Sequence, residues 1–338
     1  MKKISLRKTL VHFLCISLLA FLALMGEKAA ACYGANAGII TDLKGKVTLT
    51  KQQRAEKARL LDLLPPGAKL SGGKQTRLTV TFSKDGHTET VTGEFYVVVQ
   101  ENSLKIIKGT AIAPPKPDKN PVGLIPQEVS LASAGALRTR TGPSFDIAEL
   151  SPLSPVNEEY IDTLQPTFRW NSFDKGTAYK FLLLHDMESA TKFPGVIIRE
   201  QGKVPFPREW GDLVYGHHYE WKLSNSPIWD ESKGMTEPLF FHIINSEFLT
   251  ELRKAEEQAK QLYEKNPGNL SPYVTLISLY LNRLLYNKAL AKAQELVAKR
   301  PNDPNVHNLL GGIYNAMNLK DLSEAEFKKV NKLEAGSK

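Results

Sequence analysis

Seven histidines and one glycine-lysine run are the places where this 338-residue chain could do chemistry. Asp85-Gly86-His87 sets a carboxylate beside an imidazole, as in a base with its orienting acid, but Asp-Gly at the end of an alternating strand is first a turn signal. His217 and His218 are neighbours, and neighbours on a strand point to opposite faces, so the two cannot share a metal ion. Gly72-Gly73-Lys74-Gln75-Thr76 carries the lysine and hydroxyl of a phosphate loop. It lacks the first glycine at the required distance and a helix behind it, and reads as a β-turn. His307 falls where a helical repeat places a bulky aromatic, and a packed imidazole fills that space. The sequence has no Gly-x-Ser-x-Gly elbow, His-Glu-x-x-His pair or paired-cysteine site. The expectation is a non-enzyme with no catalytic residue, metal or cofactor, in which alanine at His87, His185, His217 or His218 leaves activity intact.

The elements that would position binding residues are clearest in the last hundred positions, which repeat at a spacing of 34. Pro267 recurs as Pro301, Leu276 as Leu310, Tyr280 as Tyr314, and Ala255 as Ala289 then Ser323. This period and these markers resemble the tetratricopeptide repeat, a helix pair that buries its apolar face only by stacking on its neighbours. Complete units run over 270–303 and 304–335, preceded by one helix carrying Ala255, Ala259 and Leu262, so helices are expected over 247–335. The resemblance implies a groove lined by the first helix of each unit and filled by a protein partner. Polar positions between the packing residues then face that partner: Ser271, Thr275, Ser278, Asn282, Asn308 and Asn315, with Arg283 and Lys288 placed to pair an acidic peptide. Plain solvated helix surface is the alternative for each. A short array also allows self-association through its end helix.

Upstream of the helices the pattern is β. Over 38–112, Lys46-Val47-Thr48-Leu49-Thr50 and Leu78-Thr79-Val80-Thr81-Phe82 alternate, Asp85-Gly86 turns, and Phe95 to Val99 and Leu104 to Ile107 add apolar strands. With Gly45-Lys46-Val47, Pro66-Gly67-Ala68-Lys69-Leu70 and Phe82-Ser83-Lys84-Asp85-Gly86, this stretch resembles the FecR-type periplasmic domain, although Ser71-Gly72-Gly73 stands where that family has a Gly-Asp pair. Residues 113–159, opening on Pro114-Pro115-Lys116-Pro117, read as a Pro/Gly/Ser-rich linker. Over 160–245, an early Pro166-Thr167-Phe168-Arg169-Trp170 strand and a late His218 to Leu223 strand resemble fibronectin type III-like sandwiches of exported bacterial proteins. Trp170, Tyr219 and Trp221 have the area to fill a two-sheet core. The fold class expected is thus two all-β domains followed by an all-α solenoid.

Residues 1–31 decide the compartment. Lys2, Lys3, Arg7 and Lys8 precede an apolar run from Phe13 to Met25, and Ala29-Ala30-Ala31 offers the small side chains of a signal-peptidase site. The run is short for a membrane span, so a cleaved export signal is expected, with an uncleaved anchor as the alternative. Removing this stretch turns the formal net charge of +8 into +4. The remaining charge is spread out, which disfavours nucleic acid as a partner. Cleavage after Ala31 leaves Cys32 as the first and only cysteine, so no internal disulfide forms. The site resembles in part the bacterial lipoprotein box, with Ala29 where that box has Leu and Gly26-Glu27-Lys28 between it and the apolar run. A lipid on Cys32, the one route to a membrane, and an incidental cysteine on a soluble chain both stay open.

Together these readings point to an exported bacterial protein of the periplasm or envelope, an adaptor that holds an envelope protein or peptide in its helical groove. Envelope sensing of the FecR type is one alternative. Binding of cell-wall glycan, with Trp210 and Trp229 stacking on sugars, is the other.

Overall fold

The computed structural model describes residues 36–112, 151–171, 180–198, 202–224 and 237–336. The export stretch, Cys32, Trp229 and most of the proline-rich stretch lie outside the described residues. No helix among the described residues is long and apolar enough to cross a membrane.

The first β domain is one antiparallel sheet of β1 (Gly38–Lys44), β2 (Val47–Lys51), β3 (Arg54–Lys57), β4 (Leu63–Leu64), β5 (Lys69–Gly72), β6 (Arg77–Phe82), β7 (Thr88–Val99) and β8 (Leu104–Ile112). The order is β3-β2-β5-β7-β6-β1-β4, with β8 also on β7. β7 joins two wings, pairing with β6 over Thr88–Thr92 and with β5 over Phe95–Val98. The two suspect motifs are turns, as expected. Asp85-Gly86 links β6 to β7 with Gly86 at φ 72°, and Thr76 N donates to Gly73 O at 3.2 Å between β5 and β6. β1 does not alternate. Six of its seven residues are buried, Thr41 and Asp42 among them, which is the pattern of a strand covered on both faces.

The second β domain contains β9 (Ser151–Ser154), β10 (Glu159–Ile161), β11 (Thr167–Asn171), β12 (Lys180–Asp186), β13 (Val196–Ile198), β14 (Lys203–Pro205), β15 (His218–Ser224) and β16 (Leu239–Ile243). They form a five-stranded sheet β10-β16-β15-β12-β13 and a three-stranded sheet β14-β11-β9. Phe168, Trp170, Tyr219, Trp221 and Phe241, each at most 1% exposed, fill the space between them. The sandwich starts earlier than the expected linker boundary of 159, because β9 pairs with β11 at Trp170↔Pro152. Proline is tolerated in an edge strand, so composition alone reads this segment as linker.

Five helices follow: α1 (Ser246–Lys265), α2 (Ser271–Asn282), α3 (Tyr286–Lys299), α4 (Pro304–Ala316) and α5 (Lys320–Ala335). Asn245 caps α1 by accepting from Phe248 N at 2.7 Å, and Asp303 caps α4 by accepting from Asn305 N at 2.9 Å ahead of a proline at the first helical position. The 34-residue markers occupy equivalent packed places, since Ala255, Ala289 and Ser323 are all buried. Gly311 marks the close crossing of α4 and α5: a Cβ on it would lie 2.8 Å from the Phe327 ring of α5.

α2 is buried at 11 of its 12 positions. It packs on α1 and α3 and, on its remaining side, on β1 and β6 of the first β domain. A single apolar core runs from Ile39, Ile40 and Leu43 through Val274 and Ile277 to Leu296 and Leu309, whereas the sandwich keeps a core of its own.

Candidate partner-binding surfaces

The polar groups expected to line an open groove on α2 are sealed. Ser271, Thr275 and Ser278 are at most 3% exposed, because the first β domain covers that face. Thr41 Oγ1 donates to Ser271 Oγ at 3.0 Å and lies 2.8 Å from Thr81 Oγ1. These three serines and threonines therefore do not face an outside partner, and the expectation for them is corrected. The next unit is held in the same way. Asn305, absent from the candidate residues, is buried and donates through Nδ2 to Leu43 O at 3.0 Å.

Lys288 is likewise occupied from within. Its ammonium lies 2.6 Å from Glu256 Oε1 and 2.8 Å from Asp162 Oδ2, so carboxylates of α1 and of the sandwich hold the place expected for an acidic peptide. Burial followed by the Glu256 carboxylate pushes the Tyr280 hydroxyl up, and that hydroxyl donates to Glu256 at 2.8 Å.

The remaining candidates separate. Asn282 and Arg283 line a cleft of about 560 Å³ with Tyr160 of the sandwich and Glu247, Phe248 and Glu251 of α1. Arg283 sits 4.8 Å over the Phe248 ring, an arrangement that orients the guanidinium while leaving its edge for a ligand. Asn308 is half-buried and Asn315 exposed, both on α4 and outside that cleft.

The sandwich is fastened to the array by a buried carboxylate. Glu159, fully buried, accepts from Asn287 N at 2.8 Å, Asn287 Nδ2 at 2.9 Å and Val156 N at 2.9 Å. Burial pushes its carboxyl up to about 7, against the opposing pull of these hydrogen bonds.

Four of the described histidines make internal contacts. His307 is buried, with Nδ1 2.6 Å from Glu326 Oε2 and Nε2 2.7 Å from Pro301 O, tying α5 to the start of α4. His87 stacks on Phe82 at 4.7 Å. His217, just before β15, and His218, its first residue, pair with Asp186 and Glu188 respectively. Asp186, Glu188 and His217 are the described residues with the donor set for a cation, their ligand atoms lying within 4.8 Å of one another. Asp186 Oδ1 already accepts from Glu188 N at 3.0 Å and Ser189 N at 3.2 Å, so the acid closes the turn after β12. Trp210 packs among Phe193 and Phe206 at 5.4 and 5.6 Å, as part of the sandwich wall.

No family model and no curated protein matches the chain. Among solved structures it is similar to a two-domain fibronectin type III segment of chicken tenascin (11% identity, TM-score 0.18, covering 61% of this chain and 95% of that one). It is also similar to a multi-domain immunophilin from Arabidopsis thaliana (11% identity, TM-score 0.16, covering 56% and 99%). At those scores neither likeness bears on function, and the architecture of two β domains followed by helices rests on the chain's own elements.

Proposed function

We propose that this chain is a non-catalytic adaptor of the bacterial periplasm or envelope, in which the helical array is a frame for two β domains and a protein partner is held at the cleft where sandwich and array meet. The observation that carries this reading is that both β domains are fastened to the same array, one through a shared apolar core and one through Glu159 and Lys288. The α2 part of the array's inner face is spent inside the molecule. The partner surface therefore moves from the expected groove to the cleft of Tyr160, Phe248, Asn282 and Arg283. An aromatic pair, a guanidinium and the flanking acids Glu247 and Glu251 suit a peptide with both charges and an apolar anchor. Export rests on the basic tip, apolar run and Ala29-Ala30-Ala31. The FecR-like reading is supported by its marker glycines Gly45, Gly67 and Gly86, which all take the left-handed conformation its turns need.

The test is a crosslinking pull-down from the native envelope comparing the natural chain with Arg283→Glu and, as a control, Asn315→Ala. Loss of one specific partner with Arg283→Glu alone supports the cleft. Equal capture by all three chains rejects it.

A further inference from the structure

A second cleft, of about 660 Å³, opens between the first β domain and the start of α4, and its chemistry is one-sided. Lys44 and Lys46 of the β1–β2 turn, Lys57 of β3, Arg77 of β6 and Arg300 before α4 line it, against only two acids, Asp303 and Glu334. Three of the five cations are engaged. Arg77 pairs with the buried Asp42, Lys57 pairs with Glu334, and Arg300 lies 3.6 Å from both Asp42 and Asp303. Arg77 Nη2 and Arg300 Nη2 also donate to the same carbonyl, Gly268 O, at 3.1 and 2.5 Å. These bonds hold the two guanidiniums in fixed positions at the joint between domain and array.

Lys44 and Lys46 have no ion-pair partner among the described residues, and both are exposed. Arg77 Nε is a buried donor with no acceptor. Asn302 adds an exposed amide to the rim. Burial first, with Arg59 and Lys46 next, holds the Lys57 ammonium below the usual lysine range. Cations confined in a concave, partly desolvated space attract anions far more than the same charges spread over a surface. Two guanidiniums already locked in place cost little further ordering when a ligand arrives.

We propose that this cleft is a binding site for a compact polyanion bearing two or more carboxylate or phosphate groups, held by Lys44, Lys46 and Arg77. Because it lies between the first β domain and the array, an occupant clamps the two together, and the site is independent of the peptide cleft proposed above.

The experiment is calorimetric titration of the whole chain with citrate and with tripolyphosphate, at ionic strength held constant with sodium chloride. At least one probe is expected to saturate at a single site. Lys44→Gln/Lys46→Gln should weaken it tenfold or more, and Asn302→Asp severalfold. Lys105→Gln/Lys254→Gln, with the same change in net charge away from the cleft, should bind as the natural chain does. Saturation by citrate alone assigns a carboxylate ligand and by tripolyphosphate alone a phosphate ligand. Absence of saturation by both, or equal weakening in the control pair, overturns the proposal.

Discussion

The first β domain and the sandwich are both attached to the helical array, but by different physics. The first β domain ends at Ile112, 134 positions before the helices begin at Ser246, and shares their apolar core, with α2 serving as the layer that covers β1. The sandwich runs directly into α1, yet keeps its own aromatic core and meets the array through Glu159, Asn287, Asp162 and Lys288. An apolar joint of this kind has no stable separated state, because parting it exposes Ile39, Val274 and Ile277 to water. A polar joint can exchange its partners for water at modest cost. Nearness in sequence is thus no guide to which domain is integral to the array.

The comparison breaks most directly at Ile277, which is fully buried. Ile277→Asp should cost about 4 kcal/mol or more by placing an unpaired charge in the shared core. All four tryptophans lie between residues 170 and 229, so tryptophan fluorescence reports the sandwich while circular dichroism at the helical band reports the array. The helical transition should fall steeply and the fluorescence transition stay in place. A common shift of both would show that the sandwich is integral too.

Changing pH tests buried carboxylates in both regions. Burial raises Glu159 to about 7 and, in the first β domain, Asp62 to about 6. Between the ordinary carboxylate range and these values the folded chain keeps protons that the unfolded chain has lost. The contribution of these two groups is therefore fully present below their ordinary values of about 4 and is lost as pH rises to about 7, by roughly 6 kcal/mol at most for the pair. Glu159→Gln should flatten the part of that slope seen by fluorescence, and Asp62→Asn the part seen in the helical transition. Unchanged slopes would mean that the hydrogen bonds to these groups outweigh their burial.

Smaller effects sharpen the contrast. Thr41→Val removes the hydroxyl that bridges Ser271 and Thr81, leaving buried hydroxyls unpaired at a cost of about 1–2 kcal/mol. The Thr41→Val/Ser271→Ala double variant should lose less than the sum of its single changes, since one bond cannot be lost twice. Lys288→Met removes a partly exposed bridge to Asp162 and Glu256 and should cost under about 1 kcal/mol. Its signature is faster amide exchange at residues 160–162 with the helical transition unmoved.

Much of the fold was legible in particular residues. The 34-residue recurrence of Ala255, Ala289 and Ser323 marked the helix crossings, Trp170, Tyr219 and Trp221 marked the sandwich core, and Asp85-Gly86 marked a turn. β9, β10 and β14 escaped because three or four residues carry no period, and β9 and β14 also contain a proline. β1 escaped because Thr41 and Asp42 interrupt its apolar run, and they are buried only because α2 and two arginines meet them. For Ser271, Thr275 and Ser278 the sequence of α2 itself carries a sign against an open groove. Between Ser271 and Asn282 the helix has no charged residue at all, which is the mark of a helix covered all round, and its small hydroxyls are contact points rather than a groove.

What the amino-acid order decides alone is local: the periods that make strands and helices, the caps at Asn245 and Asp303, and the glycines and prolines that end each element. These depend on neighbours within a few positions, so they survive any arrangement of the domains. Which faces stay open depends on contacts across 230 positions, as between Thr41 and Ser271. A serine on a helix reads the same whether water or a strand lies above it. Only packing the first β domain onto α2 makes that part of the inner groove an internal joint and gathers Lys44, Lys46 and Arg77 opposite Arg300, and only docking the sandwich brings Tyr160 to Asn282 and Arg283.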